Sequence, residues 1–409
     1  MTDTNSRNEE IVPETDLPFL DLASPQFSTR SDKVRRARRA AWCARTPYGL
    51  AVLRHREAGE LLRDRRVRQG SYAWPESNGL SGSFAEFWGR SVIAQEGERH
   101  RSLRMVTSAA LSAEFVESLR PAFSKIARDI VSGLSNNDCC EFMQDFANPF
   151  ASRAMCLLLG LPANTWPSIA RDAASLGLAM GVNCNAHAPA INAAHVRLEK
   201  LAHDLVSEAR TADDSHSLVS RYVSRWDNHG SIDDSDLIDL VVITIFGGVD
   251  TTRSQLGNSM ALFAEHPEQW RTLRQNPDLA ANAVEESIRA FPTTTWVTRE
   301  ALVDFTYRGH DIRKGQTLHI LVHSTSKDPK ICRSPSFDIT APRKSHFGFG
   351  GGAHHCLGHL VARTDIACAI VELSRTFKSI SLAHDPCWLP DSGNTGPISL
   401  PLVLSHEAP

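Results

Sequence analysis

The sequence predicts a mainly α-helical protein with a small β region, because stretches with the spacing of apolar residues typical of helices are long and runs typical of strands are short. Apolar residues recur at helical spacing over six long stretches: 114–134, 144–159, 166–181, 190–210, Asp236–Phe263 and Asn282–Phe291. Short runs rich in β-branched and aromatic residues predict strands at 48–53, 293–299, 301–307, 310–312 and 317–322. The strands are few and short, so helices must supply most of the core.

Composition narrows the class of protein. With 409 residues, 42% of them hydrophobic, the chain has ample material for two domains or one large one. The formal net charge of −3 argues against general binding to nucleic acid or to a membrane surface. The polar start predicts no signal peptide or membrane anchor, and nine scattered cysteines fit a reducing cytoplasm. We expect a cytoplasmic protein whose residues 1–25, polar and rich in proline, are disordered.

A glycine-rich loop, Phe347–Gly358, precedes one cysteine and a helical pattern. Such a loop can deliver the sulfur of Cys356 to a helix N-terminus, where backbone N–H groups and the helix dipole favour a thiolate. The thiolate is a ligand for a soft transition metal. Two alternatives use the same loop. One is a zinc site made of His354, His355, Cys356 and His359, and the other is a nucleotide-binding loop at Gly348–Gly352.

The most apolar predicted helix, Asp236–Phe263, has two adjacent glycines in its middle, Gly247 and Gly248. Each should cost roughly 1 kcal/mol relative to alanine, so a local reason must offset them. Either another helix packs closely there, or a flat ligand lies on that face and Thr251 turns to its own backbone to open a bulge. Asp250 beside the Thr251 hydroxyl would form a short proton relay, and an acid in so apolar a helix needs a partner or a function.

Two further pairs of residues stand at helical spacing. His100 and Arg104 are four residues apart, and Glu286 and Arg289 are three apart. Taken alone, either pair is typical of an exposed helix face.

Together these motifs resemble the signatures of the cytochrome P-450 family, the haem-thiolate monooxygenases, in its soluble bacterial type. The pattern Phe349-x-x-Gly352-x-x-x-Cys356-x-Gly358 resembles the family's haem-binding signature at all four fixed positions. Upstream, in the family's order, stand the histidine–arginine pair, the Gly-Gly-x-Asp-Thr oxygen-binding motif and the Glu-x-x-Arg pair.

The resemblance implies a cytochrome P-450 fold over residues 26–409, a single haem-binding monooxygenase domain, with haem b between the long oxygen-binding helix and the Cys-ligand helix. It implies that Cys356 is the axial ligand of the iron and that Phe349 shields its sulfur. Asp250 and Thr251 would deliver protons to O₂. The other implied cofactor-binding residues are His100, Arg104, Gly247, Gly248, Arg299, His354 and Gly358.

The resemblance also implies that Glu286 and Arg289 form a buried structural pair. The family often completes it with an arginine fifteen residues before the cysteine, but that position is Ala341 here, and Arg343 is the nearest substitute. His355 has no implied role except to face the surface on which a redox partner docks.

The implied reaction inserts one atom of O₂ into a small apolar substrate. No flavin or iron–sulfur segment is recognisable, so electrons from NAD(P)H are expected through a ferredoxin and its reductase, which dock near Arg101 and Arg363. Related oxidations, such as coupling, desaturation or a peroxide-driven reaction, remain alternatives, as does a haem protein that only senses a ligand. The predicted substrate pocket comprises Trp74, Phe84, Phe87, Trp88, Leu178, Met180, Ile243, Phe246, Thr294, Trp296 and Val297.

Overall fold

A computed structural model describes residues 16–134, 139–181, 183–211, 216–227, 233–332, 334–342 and 345–406. Within these ranges no helix combines the length and the hydrophobicity needed to cross a membrane. Arg343, the predicted substitute for the family's third arginine, lies outside them.

Sixteen α-helices dominate the described part of the chain, as predicted. They are α1 Asp32–Ala40, α2 His55–Leu61, α3 Trp74–Ser77, α4 Ser83–Arg90, α5 Gly97–Ala110, α6 Ala113–Ser118, α7 Arg120–Leu134, α8 Asn148–Leu159, α9 Trp166–Gly177, α10 Ala188–Thr211, α11 Leu218–Asp227, α12 Asp234–Glu265, α13 Pro267–Gln275, α14 Ala280–Ala290, α15 Val322–Ser326 and α16 His359–Thr376.

The β region is small, also as predicted. Its strands are β1 Cys43–Thr46, β2 Gly49–Val52, β3 Val67–Gln69, β4 Cys139–Glu141, β5 Trp296–Ala301, β6 Phe305–Tyr307, β7 His310–Ile312, β8 Thr317–Leu321, β9 Ser379–Leu382, β10 Cys387–Trp388, β11 Pro397–Ser399 and β12 Pro401–Ser405. The largest sheet has the order β1-β2-β8-β5-β3, in which β2 and β8 are parallel and the other pairs antiparallel. The pair β3–β5 matters for the site, because Gln69 stands opposite Arg299.

The core is organised around α12 and α16. The 32 residues of α12 span about 48 Å, and it packs against α8, α9 and α10. The helix that follows the cysteine loop, α16, packs against α7 and α14. A cavity remains between α12 and the cysteine loop, and the small residues Gly247, Gly248 and Gly350 are part of its lining.

One expectation about the N-terminal part is wrong for the residues that the structure describes. Leu17, Leu20 and Leu22 are buried and Phe19 pairs with Arg45, so residues 17–25 pack against the first sheet rather than being disordered. Residues 1–15 lie outside the described part. The stretch 69–97, which begins at the end of β3, contains α3 and α4.

Candidate active site

One cavity of about 420 Å³ brings together residues from both ends of the chain. Cys356 lines it on the loop before α16, and Thr251 lines it on α12. Arg104 of α5 and the first residues of β5 complete the wall. The sequence motifs that carry chemistry therefore meet around a single space.

The cysteine loop is held by its own backbone. The Cys356 N–H donates to the Phe349 carbonyl at 2.9 Å, which closes the loop. Gly352 has a φ of +67°, and a Cβ at this position would overlap the Leu62 carbonyl. Glycine is required here both for its positive φ and for the close approach of two backbones.

The sulfur of Cys356 lies deep in the protein and is exposed to the cavity. Burial raises the pKa of its thiol, although a hydrogen bond from the Gly358 N–H and the charges of Arg104 and Arg363 act in the opposite direction. α16 begins at His359 with Gly358 as its N-cap, so the sulfur lies just before the helix and receives a backbone N–H there. Burial acts against this stabilisation, and the ionisation of Cys356 stays a prediction. A metal cation at the sulfur would remove the thiol proton outright.

Basic and histidine side chains collect beside the cysteine loop. The rings of His100 and His354 stand 4.1 Å apart, and Arg104 donates to the His355 carbonyl at 2.9 Å. His100 Nε2 is buried and has no hydrogen-bond partner. Burial, with the nearby His354 and Arg104, lowers the pKa of His100 to about 4. We call His100, Arg104, Arg299 and His354 the clamp.

Arg299 is the most deeply buried arginine of the clamp. It donates to the Gly351 carbonyl at 2.9 Å and to Gln69 Oε1 at 3.2 Å, and it is 2% exposed. Burial lowers its pKa to about 10. The side chain does not line the cavity wall itself, so it supports the loop from behind.

The glycine-bearing face of α12 forms the opposite wall. Gly247 has open space where a Cβ would stand, and a Cβ on Gly248 would collide with the end of Met155. Thr251 Oγ1 donates to the Gly247 carbonyl at 2.6 Å, as expected, but α12 stays α-helical through this point and no bulge opens. Both explanations for the glycines therefore hold in part: Gly247 and Gly248 both line the cavity, and Gly248 also lies against Met155 of the neighbouring helix α8.

Asp250 is held by an arginine on its own helix. Arg253 donates to Asp250 Oδ1 through Nη2 at 2.5 Å and through Nε at 3.2 Å. The Asp250 side chain is 20% exposed and does not line the cavity. The predicted relay thus has its hydroxyl inside the cavity and its acid on the outer side of α12.

Glu286 and Arg289 form a buried ion pair on α14, with two N–O distances of 2.6 Å. Among the described residues, backbone groups extend the pair: Arg289 donates to the Ser336 carbonyl, and the Asp338 N–H donates to Glu286. The pair ties α14 to the chain that leads into the cysteine loop.

Most of the predicted pocket residues do line the cavity, namely Trp74, Trp88, Met180, Ile243, Phe246, Thr294, Trp296 and Val297. Phe84, Phe87 and Leu178 do not. The ring of Phe87 packs in the core beside Phe84 and His195, and Leu178 is 40% exposed on the surface.

Several cavity residues were not predicted. Gln69 and Asn394 approach from strands and turns distant in sequence, and no motif marks them. Asp365 on α16 is fully buried, which raises the pKa of its carboxyl well above the usual range. In the sequence, the feature that could have pointed to Asp365 is a lone acid nine residues after the cysteine on an otherwise apolar helix face.

The alternative metal site is not assembled. Glu96, His100 and His354 form a group whose possible metal-ligand atoms lie within 4.8 Å of one another. It is the group of at least three His, Cys, Asp or Glu side chains found among the described residues. His355, Cys356 and His359 do not join it. The glycine-rich loop also lacks a lysine, which counts against nucleotide binding.

The geometry defines a class of protein. It is a mainly helical protein in which a cysteine sulfur lies on one side of a deep cavity and Gly247 and Thr251 of α12 lie on the other. The clamp stands at the side of this cavity. Residues 183–399 match the family model described as Cytochrome P450. Luteothin monooxygenase of Streptomyces thioluteus is 32% identical over 393 residues, covering 95% of this chain and 96% of that protein. The Mycinamicin VIII C21 methyl hydroxylase of Micromonospora griseorubida is 28% identical, covering 82% and 84%.

Solved structures agree with these relatives. CalO2 has a TM-score of 0.83 at 26% identity, covering 94% of this chain and all of that one. P450BioI, solved with an acyl carrier protein ligated to hexadec-9Z-enoic acid, has a TM-score of 0.84 at 25% identity, covering 91% and 97%. The chain belongs to the cytochrome P450 family, whose members are haem-thiolate oxidoreductases.

Family membership implies haem and O₂, and the residues present fit a haem. The cavity separates a cysteine sulfur from the open face at Gly247. At the side, His100 Nε2 is a buried polar atom without a partner, as expected of a group that binds a ligand.

Proposed function

We propose that this protein is a haem-thiolate monooxygenase that inserts one atom of O₂ into a neutral, largely apolar molecule of the polyketide type. The observation that carries the proposal is that Cys356 and Thr251 line the same cavity. Residues 26–409 act as one haem-binding domain. When bound, haem supplies the iron at which O₂ is reduced.

The roles of the chain's own residues follow from their positions. Cys356 would hold the iron and Phe349 would cover the sulfur. His100, Arg104 and His354 would bind the two propionates through charge-assisted hydrogen bonds, and Arg299 would support the loop behind them. Gly247, Gly248 and Gly358 leave room for the flat cofactor. Thr251 Oγ1 holds a proton inside the cavity, and Asp250, partly exposed, connects that proton to solvent.

The lining of the cavity supports the choice of substrate class. Apart from histidines, Arg104 and Asp365 are its charged residues, and both belong to elements beside the cysteine loop rather than to the far wall. The rest of the lining consists mainly of aromatic, aliphatic and threonine side chains, together with the uncharged polar residues Gln69, Ser71, Gln255 and Asn394. It therefore suits a molecule without charge. A relative from Bacillus subtilis that is named for polyketide biosynthesis supports the same class.

Turnover tests the function. Haem-loaded protein, NAD(P)H, a ferredoxin and its reductase are supplied with neutral polyketide-type compounds chosen by a type I spectral shift. We expect an oxygenated product that incorporates ¹⁸O from ¹⁸O₂. Reduced protein that forms no product from any compound giving the spectral shift would contradict the proposal.

Thr251→Ala should uncouple electron use from product formation. Haem binding should persist, but without a proton held in the cavity the rate of product formation should fall on the order of a hundredfold, and the electrons should appear as hydrogen peroxide. Measuring product and peroxide per NAD(P)H oxidised checks this. Thr251→Ser keeps the hydroxyl and should restore coupling; equal coupling in the alanine variant and the wild type would rule out the role.

Arg101 is the better of the two predicted docking residues. It is exposed on α5, four residues before Met105, which is 48% exposed. Arg363, in contrast, is engaged by Glu285 at 2.5 Å, by His359 and by the ring of Phe349. Its basic head is therefore not free to receive a partner.

Arg101→Glu should raise the ferredoxin concentration needed for half-maximal turnover by about tenfold, because a rim charge steers an acidic partner to its site. The maximal rate should stay the same. Arg36→Glu, a matched exposed arginine on α1, should change neither quantity. Equal effects of the two variants, or none, would exclude α5 as the docking surface.

A further inference from the structure

One carboxylate lies within the clamp, and neither the family motifs nor the proposed mechanism uses it. Glu96 is the N-cap residue of α5, and its side chain makes no capping hydrogen bond to that helix. Its Oε1 accepts a hydrogen bond from the Gln69 N–H at 2.8 Å and lies 3.0 Å from His354 Nε2. These two partners are 27 and 258 residues away in the chain. Glu96 therefore joins elements that the chain itself does not connect.

The joined elements are those that carry the clamp. Gln69 stands opposite Arg299 in the β3–β5 pair and also accepts a hydrogen bond from its guanidinium. His354 stacks on His100. One oxygen of Glu96 thus links β3, which pairs with the strand of Arg299, to the loop of His354 and to the start of the helix of His100. Removing this oxygen would leave the loop held by Arg299 and Arg104 but would take away the partner that fixes the His354 ring.

Glu96 also carries charge. Burial raises the pKa of its carboxyl, but the hydrogen bonds from His354 and from the Gln69 backbone outweigh burial and bring it to about 2. The group is therefore ionised at neutral pH. Two haem propionates in the clamp would already bring two negative charges, so Glu96 adds a third that the protein itself supplies.

We propose that Glu96 is a positioning residue of the clamp, which holds His354 against His100 and places a fixed negative charge at the edge of the haem. The proposal rests on the haem-binding role proposed above. A fixed negative charge near the iron favours its more positive, ferric state, so Glu96 should lower the reduction potential. Its two hydrogen bonds should also slow the loss of haem, as supporting residues around a metal site do.

Two substitutions separate the charge from the link. Glu96→Gln removes the charge and keeps an oxygen that can accept both hydrogen bonds, whereas Glu96→Ala removes charge and link together. Glu98→Gln, an exposed glutamate two residues further along α5, is the matched control. Each holoenzyme is titrated electrochemically while its absorbance is followed, and haem transfer to an excess of apomyoglobin is timed.

We expect the reduction potential to shift to more positive values in Glu96→Gln and Glu96→Ala and to stay unchanged in Glu98→Gln. Haem transfer should be about tenfold faster in Glu96→Ala and close to wild type in Glu96→Gln. If Glu96 were purely structural, the rate of haem transfer would change in Glu96→Ala while the reduction potential of Glu96→Gln stayed the same. That result would overturn the proposal. Unchanged potentials and transfer rates in both variants would overturn it as well.

The controls also separate this proposal from the proposed function. In one outcome, the wild-type protein shows the red-shifted Soret band of the reduced CO complex while the Glu96 variants match it in reduction potential and haem transfer. That combination would overturn the role of Glu96 alone. Wild-type protein that takes up no haem would overturn both.

Discussion

Replacing Cys356 by alanine is expected to abolish the red-shifted Soret band of the reduced CO complex and, with it, all monooxygenase turnover. The side chain is the one cysteine among the described residues that lines the cavity. Without its sulfur no other soft anionic ligand is available to the iron. The change should be all or none, since no neighbouring side chain projects a replacement thiolate into the same space.

Absorbance spectra of the reduced protein with CO, taken before and after the substitution, measure this directly. Cys387→Ala removes an exposed cysteine on β10 and should leave the band unchanged. Survival of the band in the Cys356 variant would show that another group ligates the iron. Equal loss in both variants would point instead to damage during preparation.

The sequence predicts the parts of this site that depend on short-range spacing. The four motifs fix which residues are involved, because each motif lies within one loop or one helix whose geometry is set locally. Thr251 is an example. Its hydroxyl reaches the carbonyl four residues earlier, which any threonine within a helix can do. The mainly helical class follows equally directly from periodicity.

The side of a helix that faces the cavity was harder to predict. Phe87 and Trp88 are adjacent on α4 and chemically similar, so both were expected in the pocket. Successive residues on a helix point about 100° apart, and only Trp88 faces the cavity. The choice between them depends on how α4 packs on α10, and this is a tertiary contact without a local signal.

The environment of Cys356 shows a second limit. The sequence places the cysteine just before a helical pattern and so predicts the backbone N–H that the sulfur receives. It does not predict the burial of the sulfur, which raises the pKa of the thiol and depends on how distant elements pack around it. Glu96 illustrates the same point, since its partners are visible only when the fold brings them together.

The buried pair on α14 gives the largest expected effect on stability. Arg289→Met should lower the free energy of unfolding by about 3–5 kcal/mol, because it leaves the charge of Glu286 buried without its partner. The two side chains are 1% and 8% exposed, so water cannot compensate. Urea denaturation of the holoenzyme, followed by circular dichroism, measures the loss.

The chain offers a matched control with the same residue types and spacing. Glu117 and Arg120 also stand three apart on the helical part of the chain, at 2.5 Å, but their side chains are 61% and 45% exposed. Arg120→Met should therefore cost less than about 1 kcal/mol. The double variant Glu286→Gln/Arg289→Met should recover part of the loss, since it removes the unpaired charge as well. Equal losses in the two single variants would mean that burial does not set the contribution of the α14 pair to the free energy of unfolding. The pair would then act through its hydrogen bonds with the backbone of Ser336 and Asp338.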